Sequence, residues 1–191
     1  MKSHGMVRLR ELMAEGISAA TVARMAQAGT VVRLARGLYQ LADAPVDSHH
    51  TLAQAAKLVP RGVVCLASAL AFHELTDQLP AKVWVALGAK ERRPAFAYPP
   101  VRFVRFADEQ LTAEVRRHVV DGVQVPIFNA AKTVVDVFRY RRTVGVNLAL
   151  EGLREALRQK KATPAAISRL AQRAKVWSVM EPYVMALTAD G

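Results

Sequence analysis

With 191 residues and 52% apolar content, the chain is long enough to bury a core and too apolar for an intrinsically disordered segment. Lys and Arg number 27 against 16 Asp and Glu, a formal charge of +11, which points to a polyanionic partner without separating nucleic acid from an anionic surface of another kind. The longest apolar stretch, Gly62 to Phe72, is too short to cross a bilayer, and Lys2, Arg8 and Arg10 interrupt what would be a signal peptide, so a cytoplasmic protein with no membrane partner is expected.

Leu9, Leu12 and Met13 fall at i, i+3, i+4 and predict a short helix that Gly16 ends. Ser18 is placed to N-cap a second helix with Val22, Met25 and Ala26 inside, and Gly29 supplies its C′ position. Val31 to Leu34 and Leu38 to Leu41 read as strands joined by Ala35-Arg36-Gly37, a hairpin that would form the wing of a helix-turn-helix. The second helix leaves Ala19, Ala20, Thr21, Arg24 and Gln27 for a DNA groove, and Arg33 and Arg36 on the hairpin suit phosphates or the minor groove. The expected DNA-binding set is therefore Ser18, Ala20, Thr21, Arg24, Gln27, Arg33 and Arg36. An ordinary helical hairpin on a strand pair, with solvated arginines, is the competing reading.

Ala42-Asp43-Ala44-Pro45 marks the expected boundary, giving a winged helix-turn-helix over 1–45 and a second domain over 46–191. That second part opens with a helix from about Ser48 to Leu58, a buried strand Val63 to Cys65 and a helix through Ala69, Phe72 and Leu75. Lys82 to Leu87 and Val101 to Phe106 read as strands. Val115 to Val120 and Val123 to Phe128 flank Asp121-Gly122, the dipeptide of a two-residue type I′ hairpin. Asn129 caps a helix through Val134, Val135 and Phe138. Val146, Leu150, Leu153 and Leu157 trace the inner face of the next, with Glu151–Arg154 and Glu155–Arg158 pairs outside. Thr163-Pro164 starts another, and a last helix covers Met180 to Leu187. The fold class is mixed α/β (α+β): an N-terminal winged helix-turn-helix, then a larger α/β domain with a helical C-terminal half.

Readings as an enzyme fail one by one. No G-x-x-x-x-G-K, G-x-G-x-x-G or Glu-x-Lys occurs. Ser68 and His73, with Glu74 and Asp77 nearby, lack the strained elbow that exposes a nucleophile and read as helix polar residues. His49 and His50 read as surface histidines, and neither they nor Cys65, expected as a buried thiol, has metal-ligand spacing. No catalytic residue, metal or cofactor is expected. The remaining basic residues, Arg102 and Arg105 on opposite strand faces, Arg139, Arg141 and Arg142, Lys160-Lys161, Arg169, Arg173 and Lys175, form either a solvated rim or a nucleic-acid or partner surface.

The chain resembles the AbiEi-type antitoxins, regulators in bacterial type IV (abortive infection) toxin-antitoxin systems. The resemblance is carried by Gly16-Ile17-Ser18, the helix to Gly29 and Arg36-Gly37-Leu38-Tyr39, then by Gly62 to Leu70, Val83-Trp84-Val85-Ala86, Ala131 to Asp136, Phe138 to Arg141 and Val179 to Tyr183. It implies a winged helix-turn-helix that represses its own operon at inverted repeats of double-stranded DNA. It also implies a second domain that antagonises a nucleotidyltransferase-like toxin without stable direct contact, with Lys132, Thr133, Asp136, Arg139 and Arg141 matching a family motif. Asp136 is equally placed to pair with Arg139 or Tyr140 as a packing feature. Family members carry a helix before the one at Leu9, for which too few residues precede it here. Met1 to Met6 read as an added leader as readily as native sequence, and without that helix the winged unit would lack part of its core. A stand-alone winged-helix regulator with no toxin is the alternative.

Overall fold

The computed structural model describes residues 5–44 and 47–189; Met1 to His4 of the supposed leader, and Pro45 at the expected boundary, lie outside the described residues. The chain begins with β1 (Val7–Arg8), α1 (Leu9–Ala14), α2 (Ala19–Gln27), β2 (Val31–Ala35) and β3 (Leu38–Leu41). The three strands pair antiparallel in the order β1-β3-β2. Gly16, Gly29 and Gly37 all take positive φ, so the two helix ends and the hairpin turn fall where glycine permits them.

This unit is thinly packed. No side chain of α1 is buried and α2 buries only Val22. Met13, expected inside, is 55% exposed, because nothing in the described residues covers that side of α1. Met6 and Leu38 are fully buried, but in one apolar cluster with Leu58, Val85, Val123 and Val125 of the second half.

The second half contains α3 (His50–Leu58), β4 (Val63–Val64), α4 (Leu66–Phe72), β5 (Val83–Gly88), β6 (Val101–Phe106), α5 (Asp108–Thr112), β7 (Val115–Val120) and β8 (Val123–Phe128). It ends with α6 (Ala130–Arg139), α7 (Arg141–Val144), α8 (Val146–Arg158), α9 (Pro164–Arg173) and α10 (Trp177–Thr188). The mixed sheet runs β6-β5-β4-β8-β7, parallel at β4/β8 and β5/β6 and antiparallel elsewhere. Alternation along β5 decides its two faces: Val83, Val85 and Leu87 meet α3 and the N-terminal hairpin, whereas Trp84 and Ala86 face the core that α4 and α6 share. Helices α8 to α10 build outward from α6. Asp121 and Gly122 both have positive φ, as the type I′ turn requires.

Three helix expectations need correction. In α8 the buried stripe is Leu148, Ala149, Gly152, Leu153 and Ala156, while Val146 is exposed and Leu150 and Leu157 are half-buried. Small residues bring α8 against α4: a Cβ on Gly152 would lie 2.8 Å from Leu70 Cδ2. The helix through Ala69 ends at Phe72, before Leu75. Finally, α10 starts at Trp177 rather than Met180 and carries Pro182 inside it. Of the two acid–base pairs expected on α8, Glu155–Arg158 forms, but Glu151 accepts from Asp77 N–H and Gln78 Nε2 instead of Arg154.

Candidate nucleic-acid interface and the buried Lys132–Asp136 cluster

Ser18 Oγ accepts from Thr21 N–H at 3.1 Å, the N-cap that sets where α2 begins. Ser18 Oγ also lies 2.9 Å from Thr21 Oγ1, which in turn accepts from Arg24 Nη2 at 3.4 Å. The three side chains thus form one polar line along the helix. Ala20, Arg24 and Gln27 are exposed beside it, Thr21 is half-buried, and the small Ala19 and Ala20 leave the helix start free of bulk. Arg33 and Arg36 are exposed on the hairpin. Short polar side chains, small residues and cations are what a groove-reading helix with a backbone-contacting hairpin needs.

A lock unforeseen in the sequence attaches this unit to α3. Arg8 donates through Nε and Nη2 to the carbonyl of Lys57, while Lys57 Nζ pairs with Glu11 Oε2 at 2.8 Å and Arg8 N–H donates to the same oxygen at 2.8 Å. Burial pushes the Glu11 carboxyl up, but the hydrogen bonds from Lys57 and Arg8 N–H outweigh it and hold the group below its ordinary pKa. Nearby, His50 Nδ1 sits 2.6 Å from Asp121 Oδ2, and Asp121 Oδ1 accepts from Asp47 N–H. His49 and His50 are therefore half-buried joints, the His49 ring meeting that of Phe72 at a tilt with centres 4.9 Å apart, rather than the surface histidines expected.

The motif residues of α6 divide by side. Lys132, Thr133 and Asp136 are buried, Arg139 is exposed and Arg141 half-buried. Lys132 Nζ pairs with Asp136 Oδ2 at 2.5 Å and lies 4.9 and 4.6 Å from the ring centres of Phe106 and Phe128. Asp136 thus pairs with neither Arg139 nor Tyr140, because its neighbour one turn back shares the buried face. Arg139 Nη1 reaches Gln110 Oε1 at 2.5 Å, and the Tyr140 hydroxyl donates to Arg105 O. Thr133 Oγ1 donates to Phe128 O, and Arg141 Nη1 to Phe138 O, so both serve the backbone. Burial pushes the Asp136 carboxyl above its ordinary pKa despite Lys132.

Ser68, read as a helix polar residue rather than a nucleophile, accepts from Trp84 N–H at 2.9 Å, and His73 Nε2 bonds Phe128 O at 2.7 Å, so they do not meet. Cys65 is buried and free. Among the described residues, no cluster of three or more His, Cys, Asp or Glu could hold a metal ion, and no helix is long and apolar enough to cross a membrane.

No curated protein sequence matches the chain. Its fold is that of the RV2827C protein from Mycobacterium tuberculosis, whose crystal structure superimposes with a TM-score of 0.68 at 14% identity, covering 96% of this chain and 72% of that one. Residues 1–42, the segment that holds α1, α2 and the hairpin, match the protein family described as "Transcriptional regulator, AbiEi antitoxin".

Proposed function

We propose that the protein is a DNA-binding antitoxin that represses its own operon at inverted repeats and, through residues 46–191, antagonises a nucleotidyltransferase-like toxin without stable contact. The observation that carries this reading is the coincidence of two things in residues 1–42: the match to a transcriptional-regulator family, and an exposed helix face of small and hydrogen-bonding residues beside a hairpin with two free arginines. Arg24, held by Thr21, reads a base edge; Arg33 and Arg36 contact phosphates. The formal charge of +11 adds sequence-independent affinity and steers the encounter.

Fluorescence anisotropy on the operon's upstream DNA tests it. Arg24→Ala is expected to cost about 1–3 kcal/mol and relax the preference among sequences, whereas Arg36→Ala weakens all sequences alike and lowers the salt slope by about 1. Unchanged affinity in both variants would remove α2 and the hairpin as the reading surface.

A second reading, a regulator with no toxin to oppose, is favoured by the family match ending at residue 42, which leaves the larger half with a likeness of fold alone. Co-expressing the full-length Arg24→Ala chain with the protein encoded beside it separates the two. Rescue of growth by a chain whose reading of the operator is weakened supports the antitoxin; toxicity without rescue by either wild type or variant supports the plain regulator.

A further inference from the structure

Between helices α5, α6 and α9 lies a solvent-open cleft of about 110 Å³ that the regulator reading does not use. Its wall includes Glu109 and Gln110 from α5, Lys132 and Asp136 from α6, and Leu170 and Arg173 from α9. Asp136 is 1% exposed, and its Oδ1 accepts no hydrogen bond. A buried carboxylate oxygen left without a donor is costly, so a fold that keeps one beside a cavity supplies its partner from outside. That volume suits either three to four waters or one molecule of about five heavy atoms.

The charges of the cleft say which molecule. Lys132 and Asp136 sit side by side in the buried wall, with Glu109 and Arg173 exposed nearby, so the four side chains are two cations and two carboxylates. A simple anion entering would face both carboxylates, and a simple cation would face Lys132 and Arg173. A ligand that carries both charges meets a complementary group at each of its ends.

We propose that this cleft binds a small zwitterion of amino-acid size, its ammonium group donating to Asp136 Oδ1 and Glu109 and its carboxylate pairing with Arg173. Leu170 supplies an apolar wall beside these groups. The Lys132–Asp136 pair is thereby a binding element, and the ligand completes its hydrogen bonding.

Calorimetric titration of the full-length protein with glycine, acetate and methylammonium, at constant ionic strength and neutral pH, tests the assignment. Glycine is expected to bind saturably with one site per chain, in the micromolar to millimolar range that so small a ligand permits. Acetate and methylammonium, each carrying half of the chemistry, bind at least about tenfold more weakly, the loss expected for one missing charged contact. Arg173→Ala, at an exposed position, weakens glycine by a similar factor while its thermal unfolding stays that of the wild type. Absence of saturation by glycine, with water alone satisfying Oδ1, would overturn the proposal. So would acetate or methylammonium binding as well as glycine, or glycine affinity unchanged in Arg173→Ala.

Discussion

Replacing Lys132 with methionine keeps most of the buried stem and removes the ammonium group alone. That group is 2.5 Å from Asp136 Oδ2, the one hydrogen bond to this carboxylate among the described residues, and sits above the Phe106 and Phe128 rings. Breaking a buried ion pair from one side costs about 3–5 kcal/mol. The lost cation–π attraction, up to about 2 kcal/mol when desolvated, is largely offset by thioether–aromatic contact of about 0.3–1.5 kcal/mol. The pair therefore decides the outcome, and a loss of about 3–5 kcal/mol is expected at pH 8, measured as the shift in urea midpoint multiplied by the m-value. The pH dependence has a definite sign. A carboxyl whose folded pKa lies above its unfolded value holds its proton more tightly in the native state, so its burden on folding is absent below the unfolded pKa, grows as pH rises from there towards the folded pKa, and is complete above it. Asp136 is already raised by burial with Lys132 opposing, and without Lys132 it rises further. The variant's deficit should thus shrink as the pH is lowered towards the ordinary carboxylate range and Asp136 takes up its proton. Lys132→Met combined with Asp136→Leu should return to within about 1–2 kcal/mol of wild type, because no charge is then left unpaired. A single variant that loses less than about 1 kcal/mol at pH 8, or a deficit that ignores pH, would refute a buried, coupled pair.

Leu38→Ala should cost about 2–5 kcal/mol, since the side chain is wholly buried between the hairpin and the larger half; a loss below about 1 kcal/mol would show that the hairpin packs more loosely than this. Gly152→Ala should lower the melting temperature although alanine gains about 1 kcal/mol in helix propensity, because its Cβ meets the buried Leu70 at 2.8 Å and overpacking costs about 1–3 kcal/mol. A raised melting temperature would mean that Leu70 repacks freely.

The elements most legible in the sequence were those with a local chemical marker. Ser18, Asn129 and Thr163 all accept from the backbone three residues on, as their cap positions require, and Asp121-Gly122 turns where a type I′ turn must. Faces defined by size were less legible: α8 buries Ala149, Gly152 and Ala156 because a close helix approach needs small residues, which a search for large apolar side chains passes over. Contacts across many residues left no local trace. The Arg8–Glu11–Lys57 lock and the His50–Asp121 pair join segments that sequence places far apart. Lys132 and Asp136 had a signal in their spacing of four, but surface pairs share that spacing, and only burial makes this one different.

The family match ends at residue 42, yet the energetics do not divide there. A segment of about 40 residues seldom sustains a core without help, and here α1 buries nothing, α2 buries Val22, and Met6 and Leu38 belong to the cluster formed with α3, β5 and β8. A small apolar cavity of about 60 Å³ remains among Leu12, Ile17, Val22, Met25 and Tyr39, where a better-filled unit would have side chains. The N-terminal unit is therefore held mainly by the larger half, through Leu38 of the hairpin, the lock from Arg8 and Glu11 to Lys57, and Gly5 against the Asp121 turn. Helix α2, by contrast, has fewer buried contacts to hold it in place. Under the proposed DNA-binding role, a change in the larger half that moves α3 or the β7–β8 turn would displace the N-terminal unit with it, and so alter how α2 and the hairpin arginines are presented together.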